Sequence, residues 1–207
     1  MKQLCILGGG GHGKVVADIA RIQKKYQKIF FLDDAEISKC GEYPVVGKIQ
    51  DYSKYAAESE FIVAIGNNQI RKSVTEKLLR ANVKITSLIH PKSVVASDVI
   101  IQNGCVVMAG VVINSGAEIG VGSILNTCCS VDHDNKIGDY CHISIGAHLA
   151  GTVEVGNCTF IGAGAVVKNN TSICSEIIVG AGAVVIKDIV EKGTYVGIPA
   201  KRVEKSL

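Results

Sequence analysis

A six-residue beat constrains this chain more than any other feature. From Ile89 in steps of six come Val95, Ile101, Val107, Ile113, Ile119, Leu125, Val131, Ile137, Ile143, Leu149, Val155, Ile161, Val167, Ile173, Val179 and Val185. Every one is aliphatic. The place four further on is mostly small or β-branched (Ala117, Ser123, Cys129, Cys141, Ala147, Thr159, Ala165, Thr171, Ala183), and Gly, Asn, Asp and Ser crowd the rest. In a helix, six-residue steps would scatter these side chains over three directions. A strand has period two, which divides six, so the set can share one face. Short strands with a turn in every hexad fit the Gly/Asn/Asp punctuation. One hexad cannot bury its aliphatic side chain alone, whereas stacked copies can, so the array predicts a solenoid.

The first 85 or so residues read differently. Lys2–Leu7 is a buried-strand candidate that runs into GGGGHGK, and Val15, Val16, Ile19, Ala20 and Ile22 follow with helical spacing. KIFFL (28–32) and FIVAI (61–65) are further strands, 69–81 is a helix, and 84–89 is a last strand. Strand, glycine-rich turn and helix open a βαβ unit. The segment 35–55 is polar and unassigned apart from a short PVVG. The expected organisation is a Rossmann-like α/β domain over 1–85, then a β-helix over 86–207 with a short C-terminal tail.

Gly8, Gly10 and Gly13 fit G-x-G-x-x-G, and Asp33 follows Gly13 by twenty residues at a strand end. Glycines let backbone approach a phosphate, and the helix N-terminus offers free N–H groups. The α/β unit is about half of a full dinucleotide domain, which needs two mononucleotide halves, so a nucleotide-linked ligand fits better than a dinucleotide.

Composition narrows the partners. A formal net charge of +3 with Lys and Arg scattered along the chain, 5% aromatics and no Trp argue against a nucleic-acid or membrane partner. No stretch approaches the ~20 apolar residues of a membrane span. Eight cysteines without a CxxC pair read as small buried groups in a reducing compartment, so the protein is expected to be cytoplasmic.

Five histidines are present: His12, His90, His133, His142 and His148. His133, in VDHDNK, takes the outward third place of its hexad. A neutral imidazole there can accept a proton from an attacking amine, with Asp134 or Asp132 orienting the ring. His142 comes nine residues later, half a coil away, so the two are not expected to share one site within one chain. No pairing of histidines at metal-ligand spacing occurs, and no metal is expected.

The [LIV]-G-x-x-x-x hexads resemble the left-handed parallel β-helix of the hexapeptide-repeat acyltransferases. With GGGGHGKVVADIA, FLDD and AIGNNQIRK ahead of them, the whole chain resembles the bacterial nucleotide-sugar acetyltransferases. Its nearest likeness is to those that N-acetylate UDP-4-amino-4,6-dideoxy-N-acetylglucosamine on the route to N,N′-diacetylbacillosamine. More distant members acetylate GDP-perosamine or a sialic acid oxygen. The resemblance implies acetyl-CoA as co-substrate and a homotrimer with the donor in the groove between adjacent prisms. It implies catalytic His133 with Asp134, and donor contacts at His142, Gly151, Ala163 and Ala181. It implies substrate contacts at Gly10, Gly11 and His12 for phosphates or sugar, at Asp33 and Asp34 for the uridine, and at Gly66 and Ile70 for the base pocket. Four glycines occupy positions 8–11 where many members have Gly-Ala-Ser-Gly, which removes a hydroxyl and keeps the backbone donors. GIPAK (197–201) resembles the family's C-terminal signature, where Lys201 or Arg202 could meet a coenzyme A phosphate. Val111, Val121, Val153 and Ile177 are expected on the outer surface of the prism, as an apolar patch for self-association.

Overall fold

The protein is described by a computed structural model over residues 2–203. It forms two compact units, Met1–Pro91 and Lys92–Leu207.

In the first unit a parallel sheet has the order β2 (Lys28–Leu32), β1 (Gln3–Leu7), β5 (Ser59–Val63). All three strands are nearly continuous apolar runs, the pattern of a sheet covered on both faces, and Cys5, Leu7, Phe30, Leu32, Phe61, Val63 and Leu78 form one buried cluster. Helix α1 (Gly11–Gln23) connects β1 to β2, and α2 (Asn68–Arg80) follows β5. The polar stretch without a clear periodicity folds as a hairpin, β3 (Lys39–Cys40) and β4 (Tyr43–Pro44), and a 3₁₀ helix at Ile49–Tyr55. The last strand expected over 84–89 is reduced to a parallel bridge between Ile85 and Phe61 and a two-residue strand at Leu88–Ile89.

The second unit is a triangular parallel solenoid. Two-residue strands stack into three flat faces with a repeat of eighteen residues, as in the pairing of Val112 with Ser130 and of Ser130 with His148. The first face carries Val94–Val95, Val112–Ile113, Ser130–Val131, His148–Leu149, Val166–Val167 and Val184–Val185; the second runs from Ile100–Ile101 to Ser172–Ile173. The third includes Ile124–Leu125, His142–Ile143, Phe160–Ile161 and Ile178–Val179, and is extended by Thr194–Val196. The hexad aliphatics from Val107 onward are all buried. Cysteines, serines and threonines at the second inward place satisfy their polar atoms on carbonyls of the next coil: Ser123 Oγ donates to Gly138 O (2.9 Å) and Thr159 Oγ1 to Cys174 O (3.1 Å). That is why these positions tolerate hydroxyls and thiols in an apolar core.

Each corner needs one residue in the left-handed region. Gly110, Gly116 and Gly164 supply it, and so do Cys128, Asp134 and Tyr140. The apolar patch expected on the outer surface is not formed by the residues named for it. Val111, Val153 and Ile177 are fully buried because they occupy the inward fifth place of their hexads, and Val121 is half-buried. The exposed apolar groups are instead strand residues such as Val94, Ile100, Val166 and Ile178, together with Ile145.

Candidate active site

The glycine-rich turn is held by a carboxylate. Asp33, at the end of β2, accepts the Gly9 N–H on Oδ2 (2.5 Å) and the Ala35 N–H on Oδ1 (2.7 Å). Gly8 has φ +108°, and a Cβ there would lie 2.8 Å from Ala64 O; a Cβ on Gly13 would lie 2.1 Å from Gly8 O. These two glycines are required by packing. Gly10, Gly11 and Gly66 are different, because a side chain there would meet open space. Their bareness leaves backbone accessible, and α1 begins at Gly11 with no side-chain cap on its first N–H groups. An open, uncapped helix N-terminus suits an anion. His12 lies half-buried in that first turn.

Asp34 accepts the Ile49 N–H on Oδ1 (3.0 Å), so both aspartates brace loops as well as facing solvent. A cleft of 560 Å³ lies beside them, lined by Asp33, Ile37, Ser38, Val45, Lys48 and Asp51 among others. Across the sheet, the buried Arg71 guanidinium donates to Ile65 O (3.0 Å), Gly66 O (3.2 Å) and Asn68 Oδ1 (2.8 Å). It fixes the turn that presents Gly66 and the exposed Ile70.

In the solenoid, His133 and Asp134 sit on the edge between the first and second faces. Asp134 adopts φ +58°, which turns its side chain back along the edge, and Oδ2 meets His133 Nδ1 at 2.8 Å. Asp132 takes another part: its Oδ1 accepts the His133 backbone N–H (2.8 Å) and an Asn114 Nδ2 hydrogen (2.7 Å). The hydrogen bond to Asp134 raises the His133 pKa above its ordinary 6.5, and the Asp132 charge adds to the shift. With Nδ1–H given to Asp134, the free lone pair is on Nε2. That atom lies over Gly151, one coil further on, where a Cβ would come within 2.4 Å of it. A Cβ on Gly116, one coil back, would meet Asp134 Oδ1 at 2.5 Å. Two glycines thus clear the space that the His–Asp pair occupies.

His142 is on the third face, buried, with Nε2 3.1 Å from Asn126 Nδ2 and its ring edge-on to Phe160 at 5.1 Å. Ala163 and Ala181 are exposed on the edge between the third and first faces. Within one chain, then, His133 and Gly151 share an edge, while His142, Ala163 and Ala181 do not reach it. The first face lies between the two edges. The Cys129 thiol, pushed up to about 12 by burial, is unsuited to act as a nucleophile.

Comparison with known proteins decides the family. The PglD N-terminal domain family matches residues 3–78, and the bacterial transferase hexapeptide family (six repeats) matches 134–169. GDP-perosamine N-acetyltransferase of Escherichia coli O157:H7 is 31% identical over 79% of this chain and 76% of its own length. UDP-N-acetylbacillosamine N-acetyltransferase of Bacillus subtilis (strain 168) is 35% identical over 51% of each chain. The acetyltransferase domain of PglB from Neisseria gonorrhoeae FA1090, solved in complex with acetyl coenzyme A, superimposes with a TM-score of 0.95 at 39% identity, over 97% of this chain and 98% of that one. The chain belongs to the hexapeptide-repeat nucleotide-sugar N-acetyltransferases. Its solenoid is the left-handed β-helix of these acetyltransferases.

Several residues of this acetyltransferase that shape the site escaped the sequence reading. Asn135 is fully buried at an inward place where small or β-branched residues are usual; its Nδ2 donates to Asp132 O (2.7 Å) and Ala150 O (3.0 Å), and its Oδ1 accepts the Val153 N–H (3.2 Å). It pins the corner that carries His133. Asn114 and Asn126, the partners of Asp132 and His142, looked like turn punctuation. The one available signal was an amide at a core position of the hexad. Among the described residues no helix is long and apolar enough to cross a membrane, and no group of three or more His, Cys, Asp or Glu could hold a metal ion.

Proposed function

We propose that the protein transfers the acetyl group of acetyl-CoA to the amine of a nucleotide-linked 4-amino-deoxy sugar, with UDP-4-amino-4,6-dideoxy-N-acetylglucosamine as the preferred acceptor. The observation that carries this reading is the His133 ring, anchored at Nδ1 by Asp134 with Nε2 left over Gly151. The amine attacks the thioester carbonyl, forming the C–N bond. His133 Nε2 takes the proton from nitrogen as the tetrahedral intermediate forms. The C–S bond then breaks, and coenzyme A leaves as a thiol carrying that proton. His142 or a backbone N–H stabilises the oxyanion. Gly10, Gly11 and His12 hold the diphosphate or sugar, Asp33 and Asp34 with Gly66 and Ile70 the nucleoside, and Gly151, Ala163 and Ala181 the pantetheine. Lys201 and Arg202 are exposed near the C-terminal end and available to a coenzyme A phosphate. The protein acts in the cytoplasm.

The relative of E. coli that acts on GDP-perosamine supports a second acceptor, a GDP-linked 4-amino sugar. Thiol release measured with UDP-, GDP- and dTDP-linked 4-amino sugars and with free sialic acid separates the acceptors. The highest kcat/KM is expected for the UDP sugar. A GDP sugar preferred over it replaces the acceptor, and sialic acid alone as acceptor replaces N- by O-acetylation.

The base requires neutral His133, whose pKa lies above 6.5. Activity therefore falls as pH drops through that raised value. Asp134→Asn removes the hydrogen-bonded carboxylate, so the acidic limb of the kcat/KM profile shifts to lower pH while the plateau drops. A limb left in place would detach Asp134 from the base.

A cyclic trimer with the first face inward sets the His133 edge of one chain against the Ala163–Ala181 edge of the next, and closed cyclic symmetry is common in homo-oligomers. Mixed His133→Ala and His142→Ala subunits should then recover activity, since about a quarter of interfaces in an equal mixture pair an intact His133 with an intact His142. No recovery after demonstrated subunit exchange contradicts a shared site.

A further inference from the structure

The rim of the α/β sheet away from the glycine-rich turn gathers charge that the sequence disperses. The strands are parallel, so one rim holds their C-terminal ends with Gly8–Gly11, Asp33 and Gly66. The other holds their N-terminal ends, about 16 Å away for five-residue strands. At that second rim Lys2, Lys25 and Lys84, from three separate segments, converge on the carboxylate of Glu60 at 3.1, 3.0 and 2.9 Å. Tyr26 Oη donates to the same carboxylate at 2.6 Å. Burial alone would raise the Glu60 pKa; the hydrogen bonds from Lys84, Tyr26, Lys25 and Lys2 hold it well below the usual carboxylate range.

Glu60 is buried, but the three lysine side chains around it are 45%, 38% and 69% exposed. Lys24, next to Lys25, and Lys28, which opens β2, are exposed beside them. Beside buried Glu60 lies Glu58, which accepts from Gln3 Nε2 (3.1 Å). The lysines at this rim outnumber these two glutamates.

Against the expectation drawn from lysines scattered along the sequence, their convergence in the fold leads us to infer that this lysine rim is a docking surface for an anionic lipid bilayer. The residue type favours that occupant. The three cations gathered on Glu60 are lysines, point charges without the planar fork with which arginine reads a carboxylate or phosphate two-pronged. They suit a diffuse, laterally mobile layer of headgroups, which needs no matching shape. A nucleic acid would call for exposed stacking side chains, and of the described aromatics near these lysines Tyr26 and Phe30 are buried and Tyr55 packs on Phe30. The contact is peripheral, and it leaves the glycine-rich rim of the sheet open to its nucleotide ligand.

The test is co-sedimentation of the full-length protein with phosphatidylcholine vesicles with and without phosphatidylglycerol. Two variants accompany it: Lys24→Gln/Lys28→Gln, which leaves the Glu60 cluster intact, and Lys25→Gln/Lys84→Gln/Glu60→Gln, which removes the buried carboxylate along with two partners. Binding is expected only to the anionic vesicles and should weaken about five-fold per lysine lost, hence about 25-fold for the double variant. It should disappear when salt rises from about 0.05 to about 0.5 M. Acetyl transfer by the double variant in solution should match the parent. Absence of binding to anionic vesicles, equal binding to neutral ones, or wild-type affinity in the double variant overturns the inference. Retention on duplex DNA or on an acidic protein with none on vesicles does so too, and leaves the acetyltransferase reading untouched.

Discussion

Replacing His133 by Ala is expected to lower kcat by about two to four orders of magnitude, the range for a lost general base. The acceptor amine must shed a proton during attack, and His133 Nε2 is the lone pair that the site keeps free: Nδ1 is committed to Asp134 at 2.8 Å. The side chain is 59% exposed at a corner, so its loss opens no cavity in the core. The melting temperature should stay close to the parent value. KM values for both substrates should change far less than kcat, since the ring acts mainly in the transition state. Steady-state kinetics on the purified variant check this, and a kcat within a factor of a few of the parent at neutral pH removes His133 from the mechanism.

Gly151→Ala carries the second large effect, by a different route. The added methyl would lie 2.4 Å from His133 Nε2 and 2.5 Å from Cε1. Real Cβ contacts are never so close, so something must move. The ring is an exposed side-chain tip, whereas residue 151 is buried backbone with its carbonyl accepting the Asn170 N–H at 3.1 Å. The ring gives way. Displacing a catalytic group by about 1 Å can cost on the order of 10²-fold in rate, so kcat should fall by about that factor with the fold intact. A far-ultraviolet spectrum and melting temperature unchanged beside a hundred-fold loss of rate is the expected pair of results. Full activity in Gly151→Ala would show that the ring need not sit where the structure holds it.

Much of this architecture was legible because the hexad is a local rule repeated without interruption from Ile89 to Val185. Each aliphatic faces inward for the same reason as its neighbour, and the eighteen-residue coil follows. The same rule puts Val111, Val153 and Ile177, expected on the outer surface, at the fifth place of their hexads, which faces the core. The hairpin at 39–44 and the 3₁₀ helix at 49–55 were illegible because both are short and without apolar periodicity. In the candidate site, His133 announced itself by an outward place with acidic neighbours, but the division of labour between Asp132 and Asp134 did not. It depends on the left-handed backbone at Asp134, which non-glycine residues adopt only where the corner imposes it. The glycines at 116 and 151 act across coils, eighteen residues away from the side chains they make room for, and Asn135 ties its own corner to Ala150 and Val153 of the next coil. The lysine rim is the extreme case, since Lys2, Lys25 and Lys84 meet only because the α/β unit folds.

Acetyl transfer to a sugar amine is tested by following both products of one reaction. Purified protein is incubated with acetyl-CoA and UDP-4-amino-4,6-dideoxy-N-acetylglucosamine; released thiol is titrated while the nucleotide sugar is analysed by mass spectrometry and NMR. One equivalent of coenzyme A per equivalent of sugar is expected, with the acetyl group in an amide on the former 4-amino nitrogen and none left on the protein. Thiol release without an N-acetylated nucleotide sugar, whether by hydrolysis, by O-acetylation or by acetylation of the protein itself, would contradict it.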